Sequence, residues 1–418
     1  MIRAFFSVSA IYAIGVPLAL FVNIVLARWL TVEEFGAYSF AIAFATFIAL
    51  PVSGGLTLLL TREIATSVEQ AQPRRFNQLF ATSIAWIVPA SALVCAVVTG
   101  VVQGFVASPS LALSLAPLLV PGLAFVAMAD GIAKGLGKPA IGEAVRQLVI
   151  PLLLLLGAAV LSWADALRAP TMLGVNIAAF SLVSVIALAV CLRLLRKPVR
   201  WGLVPGGELR GLAVSYVSFA MITGLGVLIA QFATLTLGVL GDEDQVAFLR
   251  VAERGSQLVL MPLTFVNAIL GPKIVNAHAR GDMTAIRALV RGATRLALAA
   301  ALPVAGALIF AGEAIIVLTF GPQYSQGAYQ PMVLLCLANL VFVGFGPAAL
   351  ILTMTGFEKD NVLACSLGFA ILAALVVALA LDLGAWGAAL GVAIGMVAIK
   401  LSATGFLWRR LRIFSGPF

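Results

Sequence analysis

The sequence predicts an all-α polytopic membrane protein with about twelve transmembrane helices, duplicated as two halves of six spans. Three observations predict it. The 418 residues are 62% hydrophobic and only 10% charged, with a mean hydropathy of +1.12, more apolar surface than a soluble core could cover. Apolar stretches of roughly 20 residues recur, each long enough to cross a hydrocarbon core of about 30 Å. Lys and Arg collect in alternate loops, as the positive-inside bias requires of a multi-span chain. Backbone amides in lipid must be satisfied within their own stretch, which makes each stretch a helix.

In chain order, the spans of the first half fall at 8–28, 37–59, 80–102, 111–133, 141–161 and 171–192. Those of the second half fall at 211–238, 246–270, 292–318, 329–354, 361–381 and 385–407. The first begins soon after Arg3 and runs to Arg28-Trp29. A cleaved leader has a shorter apolar core, so this is read as a permanent span. Only Arg28 and Arg168 fall on one side of the predicted membrane, and Arg146, Arg250, Arg254 and Lys400 lie within spans; the rest of the 26 Lys and Arg share the other side. That bias puts both termini in the cytoplasm. The net charge of +9 is therefore read as topology and contact with anionic lipid headgroups, with no nucleic acid implied. The acidic run Asp242-Glu243-Asp244 lies in a short outer loop.

A basic segment, 193–210, divides the chain into 1–192 and 211–418. The halves echo each other in order. Asn23 matches Gln231, Glu34 to Tyr38 matches Asp244 to Phe248, Pro89 matches Pro303, and Lys138 matches Lys359, at an offset that grows slowly and never reverses. Six spans per half give both halves one orientation, hence a pseudo-two-fold along the membrane normal. Repeats of that kind place a substrate path between them and allow alternating access. Prolines within spans, among them Pro17, Pro51, Pro89 and Pro303, supply kinks or shape packing. Cys95, Cys191, Cys336 and Cys365 lie in spans without motif spacing and read as apolar packing.

Much chemistry is excluded. The lone His278 lies in a loop, so neither a metal site nor a histidine base is supported. There is no phosphate-binding G-x-x-x-x-G-K-[ST] and no nucleophile elbow. No long loop exists to carry the catalytic residues of a polymerase or ligase. These absences favour a transporter over an enzyme.

Several segments together resemble a known family. They are Leu26-Ala27-Arg28-Trp29-Leu30, Glu34-Phe35-Gly36-Ala37-Tyr38, Gly54-Gly55-Leu56 and Thr61-Arg62-Glu63-Ile64-Ala65, followed by Ala252-Glu253-Arg254, Gly271-Pro272-Lys273-Ile274, Phe320-Gly321-Pro322-Gln323-Tyr324 and Gly356 to Lys359. In order and spacing the chain resembles the bacterial polysaccharide, or O-antigen-type, flippases, within the superfamily of multidrug, oligosaccharidyl-lipid and polysaccharide exporters. The resemblance implies two six-helix bundles around a central cavity, in a bacterial cytoplasmic (inner) membrane. It implies a substrate made of an oligosaccharide on polyprenyl pyrophosphate, moved from the cytoplasmic to the outer leaflet for surface or exopolysaccharide synthesis. It also implies partners such as a polysaccharide polymerase and a chain-length regulator. A cation-coupled multidrug exporter of the same superfamily is the alternative reading, and a lipid-glycan-handling enzyme a more distant one.

Candidate substrate-binding residues follow from the cost of charge in lipid. A charge at the bilayer centre costs from about 2.5 to well over 10 kcal/mol, so intramembrane charge normally faces a bundle interior or a partner. Arg250 and Arg254, spaced i,i+4, share one face of the eighth span. Glu253 stands beside them and offers an internal ion pair as the alternative. Arg146 with Glu143 opens the fifth span, either in the cavity or at the interface. Arg62 ends the second span as ligand contact or anchor, and Arg28 is an outer-side cation. Asn23 and Gln231 occupy matching places, as cavity groups or as helix–helix glue. Asp130, Glu143 and Glu253 are the carboxylates open to proton or Na⁺ coupling; no other cofactor is expected. Asp130 and Lys134 form an i,i+4 pair, and Lys400 reads as snorkelling to the cytoplasmic face. Segments 64–79 and 282–295 mix apolar residues with Arg at near-helical spacing and read either as amphipathic helices on the inner leaflet or as solvated loops.

Overall fold

A computed structural model describes residues 2–70, 72–105, 110–194 and 202–416, and among them every regular element is helical. In the first half these are α1 (Ile2–Trp29), α2 (Val32–Ile48), α3 (Leu50–Ser53), α4 (Leu56–Glu69), α5 (Pro73–Phe105), α6 (Leu111–Leu115), α7 (Leu119–Gly135), α8 (Pro139–Ala144), α9 (Ile150–Trp163) and α10 (Ala169–Leu194). Then come α11 (Gly206–Val239), α12 (Glu243–Ala279), α13 (Met283–Phe310), α14 (Gly312–Thr319), α15 (Ser325–Gly344), α16 (Ala348–Met354) and α17 (Glu358–Leu411). Among the described residues, nine helices are long and apolar enough to cross a membrane, or ten when the bent α2–α4 pair counts as one span. The 54-residue α17 holds two spans, because Gly384 breaks it with φ 55° and ψ −133°. The 37-residue α12 supplies the charged one that composition alone passes over. The chain is a multi-pass membrane protein of about twelve spans.

Packing divides the chain into two compact units, Met1–Val227 and Leu228–Phe418, and the division falls inside α11. In the first unit, Thr31 caps α2 by accepting from the Glu34 amide at 3.2 Å, with Glu33 and Glu34 in the first turn, where carboxylates favour a helix N-terminus. The Glu34 carboxylate also accepts from the Ala169 amide, while Tyr38 takes a hydrogen bond from Asn176 at 2.9 Å. These contacts give the Glu34–Tyr38 motif a structural role in joining α2 to α10. The second span then bends by 42° between α2 and α3–α4. Pro51 has no amide to continue the ladder, and Gly55 lies so close to the Tyr216 carbonyl that a Cβ there would collide with it. The core of this unit gathers Val52, Leu60, Ile64, Phe80, Ile87 and Met128. Helix α4 meets α7 through small residues: a Cβ on Gly131 would sit 2.9 Å from Leu60, one on Gly135 2.7 Å from Ile64, and Thr57 donates to the Ala127 carbonyl at 2.9 Å. In lipid such close approach replaces the hydrophobic drive that water would supply.

In the second unit, two tight turns repeat one device. Gly241 (φ 77°) and Gly281 (φ 70°) end a helix in the left-handed region, and the next residue, Asp242 or Asp282, caps the following helix. At the break in α17, Gln245 accepts a hydrogen bond from the Ala385 amide at 2.8 Å, satisfying an N–H freed by the kink. The two halves of α17 then fold back on each other through Gly368, Gly391 and Gly395, which abut Ile399, Val376 and Leu372. Gly321 (φ 119°) turns the chain after α14, and Tyr324 is fully buried edge-on to Phe248. The Phe320–Tyr324 motif is thus a packing turn. The core gathers Ile274, Ile286, Val290, Ile351, Leu352 and Leu407.

Two expectations are corrected here. Segment 64–79 is not one surface helix, since α4 carries the second span on to Glu69 and α5 begins at Pro73; likewise 283–295 is the first part of α13. Lys400 does not snorkel. It is 3% exposed, donates from Nζ to the Gly346 carbonyl at 2.7 Å and lies 3.9 Å from the centre of the Phe342 ring. The chain's end seals this region: Thr294 donates to the Ser415 carbonyl at 2.9 Å and Ser415 to the Phe345 carbonyl at 2.5 Å.

Candidate functional site

Among the described residues, three polar clusters hold most of the expected charged side chains, two in the first unit and one in the second. The first joins α1, α7, α8 and the turn that follows. Lys134 reaches both Asp130 (2.7 Å) and Glu143 (3.0 Å), and Arg146 donates to Glu143 (2.7 Å) and to the Tyr12 hydroxyl (3.4 Å). Arg146 sits on a π-helical turn, Val145–Val149, between α8 and α9. Pro151, which lacks an amide, follows it and favours the bulge. Asp130 and Glu143 are each 5% exposed. A Cβ on Gly142 would strike the Asp130 carboxylate, so glycine is what lets the acid lie there. Two acids and two bases make the cluster neutral, the form in which buried charge is tolerated.

The second cluster lies where α4, α5 and α11 meet. Arg62 is half exposed; it donates to Glu63 at 2.9 Å and to Ser215 at 3.0 Å, and stacks 5.3 Å from the Phe219 ring centre. Arg75 bridges Glu63 (3.6 Å) and Glu208 (2.5 Å).

The third lies on α12. Arg250, 8% exposed, pairs with Glu253 at 3.3 Å, and Arg254 donates to Gln257 at 3.0 Å. Arg254 stands eleven residues into the 37-residue helix, about 16 Å along its axis. Asn339 of α15 donates to the Ser256 carbonyl at 2.9 Å and fixes this stretch of helix.

The remaining expected residues stand apart from these clusters. Asn23 turns its amide back to the Ala19 carbonyl at 2.7 Å. Gln231 belongs to the second unit, and its Oε1 is buried without a hydrogen-bond partner among the described residues. Arg28 is exposed at the end of α1. Sequence reading found the pairs spaced i,i+3 and i,i+4, but it missed Tyr12 and the second reach of Lys134, which depend on which helices are neighbours. Among the described residues no cluster of His, Cys, Asp and Glu could hold a metal ion, and the four cysteines are free.

The family model for polysaccharide biosynthesis proteins matches residues 1–278. The chain belongs to that family. No curated protein sequence matches it. Its fold is shared with solved transporters. A multidrug resistance MATE family transporter of the MOP superfamily, inward-facing, is 15% identical with a TM-score of 0.78 over 95% of this chain and 94% of that one. The lipid II flippase MurJ, in an inward closed conformation, is 14% identical with a TM-score of 0.76 over 96% and 87%. A MOP superfamily transporter from Pyrococcus furiosus, described as having a binding pocket of reverse polarity, is 15% identical with a TM-score of 0.67 over 98% and 95%. The fold is therefore that of the MOP superfamily, as the sequence resemblance implied.

Proposed function

We propose that the protein is a flippase that moves an oligosaccharide linked to polyprenyl pyrophosphate from the cytoplasmic to the outer leaflet of a bacterial inner membrane. In this reading the basic loops and both termini lie in the cytoplasm. The family match and the fold shared with a lipid II flippase support a transporter of lipid-linked glycans. One observation carries the choice of an anionic substrate. The buried carboxylates Asp130, Glu143 and Glu253 each have a basic partner, in Lys134, Lys134 with Arg146, and Arg250. A cationic drug needs a carboxylate that the protein has not already neutralised. A pyrophosphate needs guanidinium groups, and Arg254, about a third of the way along α12, supplies one, its planar fork suited to phosphate oxygens.

A water-filled cavity with fixed cations lowers the cost of carrying a pyrophosphate through hydrocarbon, while the prenyl chain stays in lipid. The test is deletion of the gene followed by analysis of inner-membrane lipids. The expected result is accumulation of polyprenyl-pyrophosphate oligosaccharide with loss of surface polysaccharide. Unchanged carrier lipids and surface glycan, together with hypersensitivity to cationic drugs, would overturn this reading in favour of the exporter.

A further inference from the structure

An open groove of about 600 Å³ runs along the first unit, walled by α4, α5 and α11. Its lining is almost wholly apolar and includes Leu56, Leu60, Leu79, Trp86, Leu212 and Tyr216. The same three helices continue, toward the ends that carry the basic loops, into a second pocket of about 650 Å³. That one is lined by Thr66, Gln70, Gln72, Arg74, Arg75 and Gln78, with Glu63 and Glu208 at the junction. The change from apolar to polar runs the same way on every wall. On α4 it goes from Leu56 and Leu60 to Glu63 and Thr66, on α5 from Trp86 and Leu79 to Gln78 and Arg75, and on α11 from Tyr216 and Leu212 to Glu208. From Arg75 to Trp86 is eleven residues, about 16 Å of helix, or one leaflet of a core of about 30 Å. The two spaces together have the shape and polarity of one amphiphile standing in a leaflet.

We infer that this composite site loads the substrate, the polar pocket taking the pyrophosphate and first sugar and the groove taking the isoprene units next to them. The inference rests on the flippase reading above. Charge leaves room for an anionic head: of the charged lining residues, Arg75 bridges both Glu63 and Glu208, and Arg74 has no ion pair among the described residues. Each guanidinium carries five donors, and the Gln amides both donate and accept, as sugar hydroxyls require. At Leu50 and Pro51 the groove adjoins a further apolar recess of about 440 Å³ along Phe47, Leu93 and Val97, which extends the apolar path for a long prenyl chain. The walls are fixed in advance. At the bend of the second span, the Tyr216 hydroxyl donates to the Pro51 carbonyl at 2.7 Å and Trp86 Nε1 to the Val52 carbonyl at 3.3 Å, with the two rings edge-on at 5.7 Å. The Val204 amide donates to Thr82 at 3.1 Å and ties the start of α11 to α5. A preformed groove spares the ordering cost of binding a flexible chain.

The test uses purified full-length protein in vesicles of phosphatidylethanolamine and phosphatidylglycerol. The probe is a polyprenyl pyrophosphate with a diazirine in its first isoprene units. Photolabel is expected on residues 79–86 and 209–221, competed by unlabelled polyprenyl pyrophosphate and not by added phosphatidylglycerol. Ala213→Trp, which fills the groove from an exposed wall position, is expected to lower labelling about tenfold, a loss of about 1.4 kcal/mol of binding. Val214→Trp, which is 62% exposed and outside the groove lining, is expected to label as the parent does. Label spread evenly over the helices, or competed equally by phosphatidylglycerol, would overturn the loading site. If gene deletion leaves carrier lipids and surface glycan unchanged, the flippase reading itself fails. If deletion blocks export while Ala213→Trp exports and labels normally, only the loading site fails.

Discussion

At the residue scale, buried charge in this protein is held by pairing. Glu253 illustrates the energetics. It is the acid within hydrogen-bonding reach of Arg250, whose side chain is 9% exposed, against 16% for its own. Removing one member of such a pair leaves an uncompensated ion, at a cost of about 3–5 kcal/mol. Glu253→Gln is therefore expected to lower the melting temperature in detergent clearly, and the double change Arg250→Met with Glu253→Leu to restore most of it. A single variant as stable as the parent would mean that Arg250 finds another anion. This pair was legible in the sequence because i,i+3 spacing puts both residues on one helix face. The link from Lys134 to Glu143 and that from Arg146 to Tyr12 were not, because a single sequence does not reveal which helices touch. Lys400 misled for a related reason. Its distance from the helix end suggested a route to the interface, but the Gly346 carbonyl and the Phe342 ring hold it inside.

At the scale of elements, breaks in helices do much of the structural work. Gly384 divides α17 in a backbone region open mainly to glycine, and a Cβ there would sit 2.5 Å from Gln245 Oε1. Gly384→Ala is expected to destabilise the protein by about 1–3 kcal/mol, the usual cost of a forced backbone region. A thermal melt in detergent reads this, and an unchanged melt would show that the turn can relax. The spans themselves were legible from apolar runs, and the gap between 381 and 385 marks this turn. The supposed surface helix at 282–295 was not legible as part of a span. Arg287, Arg291 and Arg295 recur at i,i+4 spacing, which looks amphipathic in isolation. The 28-residue α13 is about 42 Å long, longer than a core of about 30 Å, so there is about 12 Å of it, the length from Met283 to Arg291, to project beyond the hydrocarbon.

At the scale of the whole molecule, the sequence conveyed the class of fold through composition, span recurrence and charge bias, and the shared fold of MOP superfamily transporters agrees with it. The candidate site was less legible. Arg250, Arg254 and Arg62 were identifiable as charge in apolar surroundings, but the groove beside Arg62 is built from ordinary Leu, Tyr and Trp residues drawn together from three helices. Nothing in their local sequence distinguishes such residues from core packing. The proposed transport reaction is what unites these features: paired acids, guanidinium groups within helices, and an amphiphile-shaped site on one leaflet. The most direct test is reconstitution of the purified protein in vesicles holding a fluorescent polyprenyl-pyrophosphate disaccharide, with transfer between leaflets read by a membrane-impermeant quencher. The account predicts transfer well above protein-free vesicles, reduced in Arg254→Ala at normal protein incorporation. Transfer no faster than in protein-free vesicles would contradict it.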